Sequence, residues 1–508
     1  MKLKDLLDRN VSEFGEYPFI YYEDKQYTNV ETKNFADQIA NGLKELGVEP
    51  GDRVAVCMPN CPEVIFSYQG ITRSGAVIVP IMFTLHYKEI HFIIQNCHAK
   101  VIISSAYTAE NVKKAIEGLE NKPVLLVADM PTGNGMINLY DMLSSDPRKL
   151  ADAHDSSDED TAVILYTSGT TGSPKGVILT HKNLYSNAVN SAAHNETERG
   201  ATISALPLAH VYGLTVSNVS YITGSSVVIF PKFDPIQVFK AIEKYQVRAF
   251  SAVPAMIHAM FSCEQADQYD TSSLEWVGSG SAPLPIALLN GFQKKFKAKV
   301  LEGYGLSEAA PVVTAHNKKI AVKPGSVGIP IPGTKIKIVG SHGEEVPAGE
   351  VGELIVSGDN VTPGYYQNEE ETSRVLVNGW LHTGDLARAD EDGYLYIVDR
   401  KKDLIIRGGF NVYPRDIEEL LNGHEQVFEA AVVGIPDERM GEEIVACVVK
   451  SAGSAIKENE LIQYCQDHLA KNKTPKRIIF VDSLPRNGVG KIVKTRLRQF
   501  AASSILSG

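Results

Sequence analysis

After Tyr166 the chain reads Thr167-Ser168-Gly169-Thr170-Thr171-Gly172-Ser173-Pro174-Lys175-Gly176. Glycines let backbone N–H groups approach an anion because no Cβ intervenes. Hydroxyls add rotatable donors, and Lys175 adds a charge suited to phosphate oxygens. Behind the short apolar strand expected at 162–165, this is a phosphate-holding loop, and it points to a nucleotide enzyme. A flexible surface loop has a similar composition, but the strand leading in and the parts described next favour phosphate. It is not the G-x-x-x-x-G-K-[ST] loop. Counting from Gly169, Pro174 stands where the second glycine belongs, and Gly176 follows Lys175. Gly490-Lys491 fails too, with Pro485 at the first glycine and Ile492 after the lysine.

Five other segments carry groups that could act with this loop. Gly303-Tyr304-Gly305-Leu306-Ser307-Glu308 follows the apolar Val300-Leu301, and strand ends are where open α/β sheets take ligands. Tyr304 can stack on a base, and Glu308 is a hard oxygen ligand suited to Mg²⁺ beside phosphates. The plain alternative is a turn with a solvated glutamate. Gly278-Ser279-Gly280-Ser281-Ala282-Pro283 is a small-residue loop on which an adenine or substrate could lie flat, or an ordinary turn. Asp385, after Gly384, can take both ribose hydroxyls, with Arg400 to reinforce it. Lys491, on the Gly-rich turn from Pro485 to Ile492, is either a solvated tip or a group reaching the α-phosphate and the attacking oxygen. His210, within Leu206-Pro207-Leu208-Ala209-His210-Val211-Tyr212-Gly213, is a satisfied core histidine or the wall of an acyl pocket.

These groups need a large scaffold. The 508 residues exceed one hydrophobic core and predict about three or four domains. A net charge of −11 argues against nucleic acid as a partner. The six cysteines are scattered. Cys57 and Cys61 have metal-like spacing, but Pro59 and Pro62 break it, and buried thiols in a reducing compartment are expected. No apolar core follows Met1-Lys2-Leu3-Lys4-Asp5, and no stretch approaches the ~20 apolar residues of a membrane span. The expectation is a cytoplasmic protein with no transmembrane segment, touching a membrane peripherally if its substrate is a lipid. The reading leaves room for a homodimer.

The elements alternate. Phe35, Ile39, Leu43 and Leu46 predict a helix over 34–48. Strands at 53–58, 76–80, 101–104 and 124–127, with a helix near 62–74, predict a parallel sheet with crossover helices. A Gly/Ser/Asp-rich connector covers 131–160. A second alternating region, 162–320, has strands near 202–205, 226–230, 248–252 and 299–303. Short alternating runs at 335–339 and 352–356 predict antiparallel strands in a small barrel-like unit. Pro414 opens a helix over 415–421. The expected fold class is α/β. The large N-terminal domain (1–398) holds two parallel-rich α/β subdomains, about 1–155 and 160–320, plus a small β-barrel-like subdomain, 325–398. A hinge at 399–403 leads to a small mobile α+β domain, 404–508.

Taken in order, the segments 167–176, His210, 303–308, 382–385, 399–411 and 485–491 resemble the acyl-adenylate-forming family of acyl-CoA synthetases over nearly the whole chain. The resemblance implies two steps. A carboxylate attacks the α-phosphate of ATP to give acyl-AMP and pyrophosphate; the small domain then turns, and the thiol of coenzyme A attacks the acyl carbonyl. It implies that Thr167, Ser168, Gly169, Thr170, Thr171, Gly172 and Lys175 hold the β/γ-phosphates, and that Glu308 binds Mg²⁺ with Ser307 nearby. Gly280, Ser281, Ala282, Glu302, Gly303 and Tyr304 complete the nucleotide site, with Asp385 and Arg400 on the ribose. Lys491 and Mg²⁺ would stabilise charge at the α-phosphate. Lys402 matches the hinge position. Arg407, Gly408, Gly409 and Phe410 match the thioester-forming segment, with Gly409 lining the pantetheine tunnel. Ser307 stands where threonine is commoner, and Ile406 where plant aryl-CoA ligases carry a lysine.

Histidine at 210 cannot supply the anion that amino-acid-activating relatives use. The residues His210, Ala209, Gly213 and Gly305 are expected to line the acyl pocket, and small side chains there favour a medium- or long-chain fatty acid. A cyclic or aromatic acid is the alternative. A non-catalytic adenylate-binding module would have lost Lys491, Glu308 or Lys175; all three are present. Lys491→Ala is expected to abolish acid-dependent ATP–pyrophosphate exchange while leaving CoA attack on supplied acyl-AMP largely intact. Equal loss of both steps would refute that role.

Overall fold

The apolar runs become strands buried on both faces, as parallel sheets require. In Arg53–Cys57, Val54 and Val56 face one core while Ala55 and Cys57 face another. Helices Asn29–Glu45 and Pro62–Ser74 cover the first face, and Tyr87–Cys97 and Ala109–Ile116 the second. The structure, a computed structural model, describes residues 2–133, 135–142, 154–167, 174–486 and 492–506. The predicted helix at 34–48 starts earlier, at Asn29. Its start is set by a capping box, in which Thr28 Oγ1 accepts the Glu31 N–H and Glu31 accepts the Thr28 N–H.

This sheet has eight strands, in the order Gly364–Tyr365, Lys175–Thr180, Thr161–Thr167, Val77–Pro80, Arg53–Cys57, Val101–Ser105, Val124–Ala128 and Met136–Asn138. Thr161–Thr167 runs parallel to Val77–Pro80, but Lys175–Thr180 returns antiparallel beside it, with Thr167 opposite Lys175. A four-stranded sheet pairs Ser226–Ile229 with Ala201–Ser204 and with Pro18–Tyr22, both parallel. A five-stranded sheet runs Ala249–Ala252, Trp276–Ser279, Lys299–Gly305, Val312–Ala315, Ile329–Pro330. Thr202 joins these two sheets by donating to the Ala249 carbonyl at 3.1 Å. Residues 18–28 thus belong with the second region and 161–180 with the first, so the sheets cross the sequence boundary expected at 155–160. The segment expected to form a small barrel is a five-stranded antiparallel sheet, and among the described residues its pairings follow an open order. Gly278 and Ser279, read as loop, close the strand Trp276–Ser279.

The C-terminal part is built on the hairpin Val427–Asp437 and Gly441–Lys450. Alternation sends Ala430 and Val432 against helices Pro414–Asn422 and Glu458–His468, and Ala431, Val433 and Ile435 against Lys494–Leu506. Pro414 takes the first helical turn, as read.

Candidate active site

The site is organised around the strand Lys299–Gly305 and the helix Val211–Thr223. Asn60 fixes the turn that enters this helix: its Nδ2 donates to the Leu206 carbonyl and its Oδ1 accepts the Leu208 N–H, both at 2.8 Å. His210 then caps the helix, its Nδ1 accepting the Tyr212 N–H at 3.2 Å. An accepting Nδ1 carries no proton, so the neutral ring is an Nε2–H donor. The helix is buried almost all round. The side chains it turns into a cavity of about 210 Å³, Tyr212, Val216, Val219 and Thr223, recur at steps of four, three and four. The facing sheet contributes many small residues, among them Ala249, Ser251, Gly278, Gly280, Gly303 and Gly305, beside the larger Phe250, Trp276 and Leu301. The cavity spans the sheet from strand C-terminal ends, at Ser251, Ser279 and Gly305, to N-terminal ends, at Ala201, Arg248 and Trp276. At the far end Arg248 bridges Glu198 and Glu275, and Lys318 pairs with Glu275.

The near end holds residues expected in the nucleotide site and in the acyl pocket. His210, Gly280, Ser281, Gly303, Tyr304, Gly305 and Ser307 all line the cavity. The Tyr304 hydroxyl donates to Asp385 Oδ2, and Arg400 Nε lies 3.3 Å from Asp385 Oδ1. Asp385 and Arg400 are register partners on Trp380–Ala389 and Leu395–Arg400. Burial beside Asp385 pushes the Tyr304 hydroxyl well above its ordinary range, so it stays protonated and donates. Such a bond to a carboxylate contributes about 1.5–3 kcal/mol. Lys402 stands exposed two residues beyond Arg400, and partial desolvation, with the Arg400 charge close by, lowers its pKa.

Lys175 and Glu308, expected beside the phosphates, both meet a segment that the sequence did not single out. Glu308 Oε1 accepts the Tyr365 hydroxyl at 2.8 Å. Lys175 Nζ lies 2.7 Å from Glu371 Oε1 and 5.9 Å from the centre of the Tyr365 ring. Tyr365 is reached because Gly364–Tyr365 pairs with Lys175–Thr180 as an edge strand. Two residues of strand give no readable periodicity. Glu308 fits Mg²⁺ as a single hard ligand, since that ion takes one or two carboxylates and completes its shell with phosphate and water. Thr167 ends its strand half-buried opposite Lys175. Ser168, Gly169, Thr170, Thr171, Gly172 and Lys491 lie outside the described residues.

Other expected positions stand elsewhere. Ala209 and Gly213 are buried and do not line the cavity. A Cβ on Gly213 would sit 2.2 Å from the Pro207 carbonyl oxygen, so its smallness serves the close approach of helix to turn and not room for an acyl tail. Gly305 does line the cavity, and a Cβ there would meet the Pro311 carbonyl oxygen at 2.2 Å. Glu302 is buried and does not line the cavity, although Leu301 and Gly303 on either side of it do. Burial pushes its carboxyl up to about 7. Ala282 is exposed beyond the cavity rim. Gly408 and Gly409, at φ +57° and +82°, form the tip of the hairpin Ile405–Arg407 and Phe410–Val412, away from the cavity, with Phe410 exposed. Arg407 is held inside the C-terminal part by Glu443 at 2.8 Å and by the Lys471 and Asn472 carbonyls.

The AMP-binding enzyme profile matches residues 7–366, and the AMP-binding enzyme C-terminal domain profile matches 416–491. A long-chain-fatty-acid–CoA ligase of Bacillus subtilis is 36% identical, covering 97% of this chain and 94% of that one. A feruloyl-CoA synthase of an Amycolatopsis species is 38% identical, covering 93% of each. The structure of ATP-bound MatB from Rhodopseudomonas palustris superposes with a TM-score of 0.90 at 31% identity, over 98% of this chain and 99% of that one. The chain belongs to the AMP-binding enzyme family, as an AMP-forming acid–CoA ligase.

Gly213→Ala should lower the melting temperature, since the backbone at 207–208 must move at a cost of about 1–3 kcal/mol. Its activity should fall alike with every acid. Unchanged stability with an altered chain-length preference would return Gly213 to the acyl pocket.

Proposed function

We propose that the substrate is an aliphatic acid of medium to long chain, activated by ATP as acyl-AMP and then passed to coenzyme A. The observation that carries this reading is the cavity along Val211–Thr223. Thirteen residues of helix extend about 20 Å, a length suited to an extended tail with its carboxyl near His210. The Bacillus ligase, named for long-chain fatty acids, supports the choice. An aryl acid is the second reading. Tyr212 lies over Gly280, 3.3 Å from where a Cβ would stand, and narrows the cavity near the carboxyl end; the feruloyl-CoA synthase supports that option.

In this reading His210 donates Nε2–H to a carboxylate oxygen and orients the other toward the α-phosphorus. Asp385 accepts from the ribose hydroxyls, its position set by Tyr304 and Arg400. The loop 167–172 and Lys175 hold the phosphates that leave, and Lys491 attends the phosphorus that is attacked. Glu308 would hold Mg²⁺, whose contribution is to neutralise charge on the phosphate oxygens. Lys402 serves the hinge between the two half-reactions. The exposed tip Arg407–Gly408–Gly409–Phe410 presents CoA after the C-terminal part turns, the two glycines being required by their positive φ.

A carboxylate panel from hexanoate to hexadecanoate, with ferulate, tests this by kcat/KM. Val219→Trp places a ring midway along the cavity. It should lower kcat/KM for dodecanoate by roughly tenfold or more, the loss from excluding a few methylenes, and leave hexanoate within about twofold. Equal losses for both, or a wild-type preference for ferulate, would overturn the aliphatic assignment.

A further inference from the structure

Lys175 and Glu371 form a half-hidden ion pair, their side chains 12% and 15% exposed. We propose that Glu371 is a positioning residue for Lys175, presetting its ammonium for the phosphates that leave as pyrophosphate. This rests on the reading of Lys175 as a phosphate ligand. A lysine on a flexible four-carbon stem has many rotamers to lose on binding an anion, and a fixed carboxylate beside it removes part of that loss beforehand. Glu371 is itself fixed from several sides. Asn368 Oδ1 accepts its N–H at 3.1 Å and caps the helix Glu369–Val375. Thr372 Oγ1 in the next position accepts the Tyr365 N–H at 2.9 Å, tying that helix to the edge strand beside Lys175–Thr180. Arg374 donates to both oxygens of Glu371, through Nε at 2.9 Å and through Nη2.

The second cation explains how the pair can serve binding and not oppose it. A carboxylate whose sole partner was Lys175 would compete with phosphate for the ammonium. Arg374 keeps Glu371 paired when Lys175 turns part of its donors to the ligand, so the carboxylate is not left uncompensated. Tyr365 extends the arrangement, its ring under Lys175 and its hydroxyl on Glu308. One edge segment, 364–374, therefore sets both the cation and the carboxylate expected around the phosphates.

Glu371→Gln keeps shape and removes charge. In full-length enzyme it should raise KM for ATP, and for pyrophosphate in the exchange reaction, roughly tenfold, with KM for dodecanoate within about twofold. Glu371→Asp should recover part of the loss. On a Lys175→Ala background Glu371→Gln should add nothing, because the two act as one unit. Unchanged KM for ATP and pyrophosphate in both Glu371 variants would overturn the proposal, as would a full additional loss on that background. Unchanged values in Lys175→Ala itself would overturn the phosphate reading of Lys175, and the proposal with it.

Discussion

Strand alternation in Lys299–Gly305 is the constraint on which the rest depends. Successive side chains must point to opposite faces. Residues 303 and 305 have to be small, because the Thr314 and Pro311 carbonyls lie 3.0 and 2.2 Å from where their Cβ atoms would stand. That same smallness leaves a wall against which a ligand can lie on backbone. The alternate residue, Tyr304, reaches Asp385 on a different sheet. One strand thus shapes the cavity and fixes the carboxylate beside its mouth.

The proposed nucleotide clamp and the proposed hinge share a second hairpin. Asp385 and Arg400 are paired across it, and Asp399, one residue earlier, accepts the Arg400 and Arg415 N–H groups. Arg415 belongs to the first turn of Pro414–Asn422, and its side chain also donates to the Ile397 carbonyl. Arg498 adds an ion pair to Asp403 at 2.6 Å. A ligand that engages Asp385 therefore acts on the strand that leads directly into the C-terminal part.

Much of this was legible in the sequence, for physical reasons that also mark where legibility stops. Strands buried on two faces leave apolar runs, so their positions were readable. Which sheet each joins was not, because the pairing of Pro18–Tyr22 with Ser226–Ile229 depends on contacts far apart along the chain. That His210, Tyr304 and Ser307 would meet at one cavity, with Asp385 and Arg400 beside Tyr304, was readable from polar groups set among glycines and apolar residues. Ala209 and Gly213 were misread because a small residue has two causes, space for a ligand or close approach of backbone, and composition does not separate them. The Tyr212, Val216, Val219, Thr223 stripe was hidden by a helix buried on nearly every side, which has little polar face to contrast with it. Glu371 is the last of three consecutive glutamates in the first turn of a helix, and composition gives no sign that one of them meets Lys175.

We propose that an acyl tail lies between Val211–Thr223 and the facing sheet while Asp385 holds the ribose. A crystal structure with dodecanoyl sulfamoyl-adenosine, a stable mimic of the acyl-adenylate, tests it directly. The tail should run past Val216 and Val219 toward Thr223, with both ribose hydroxyls on Asp385. A tail leaving the cavity near His210 for solvent, or a ribose away from Asp385, would contradict it.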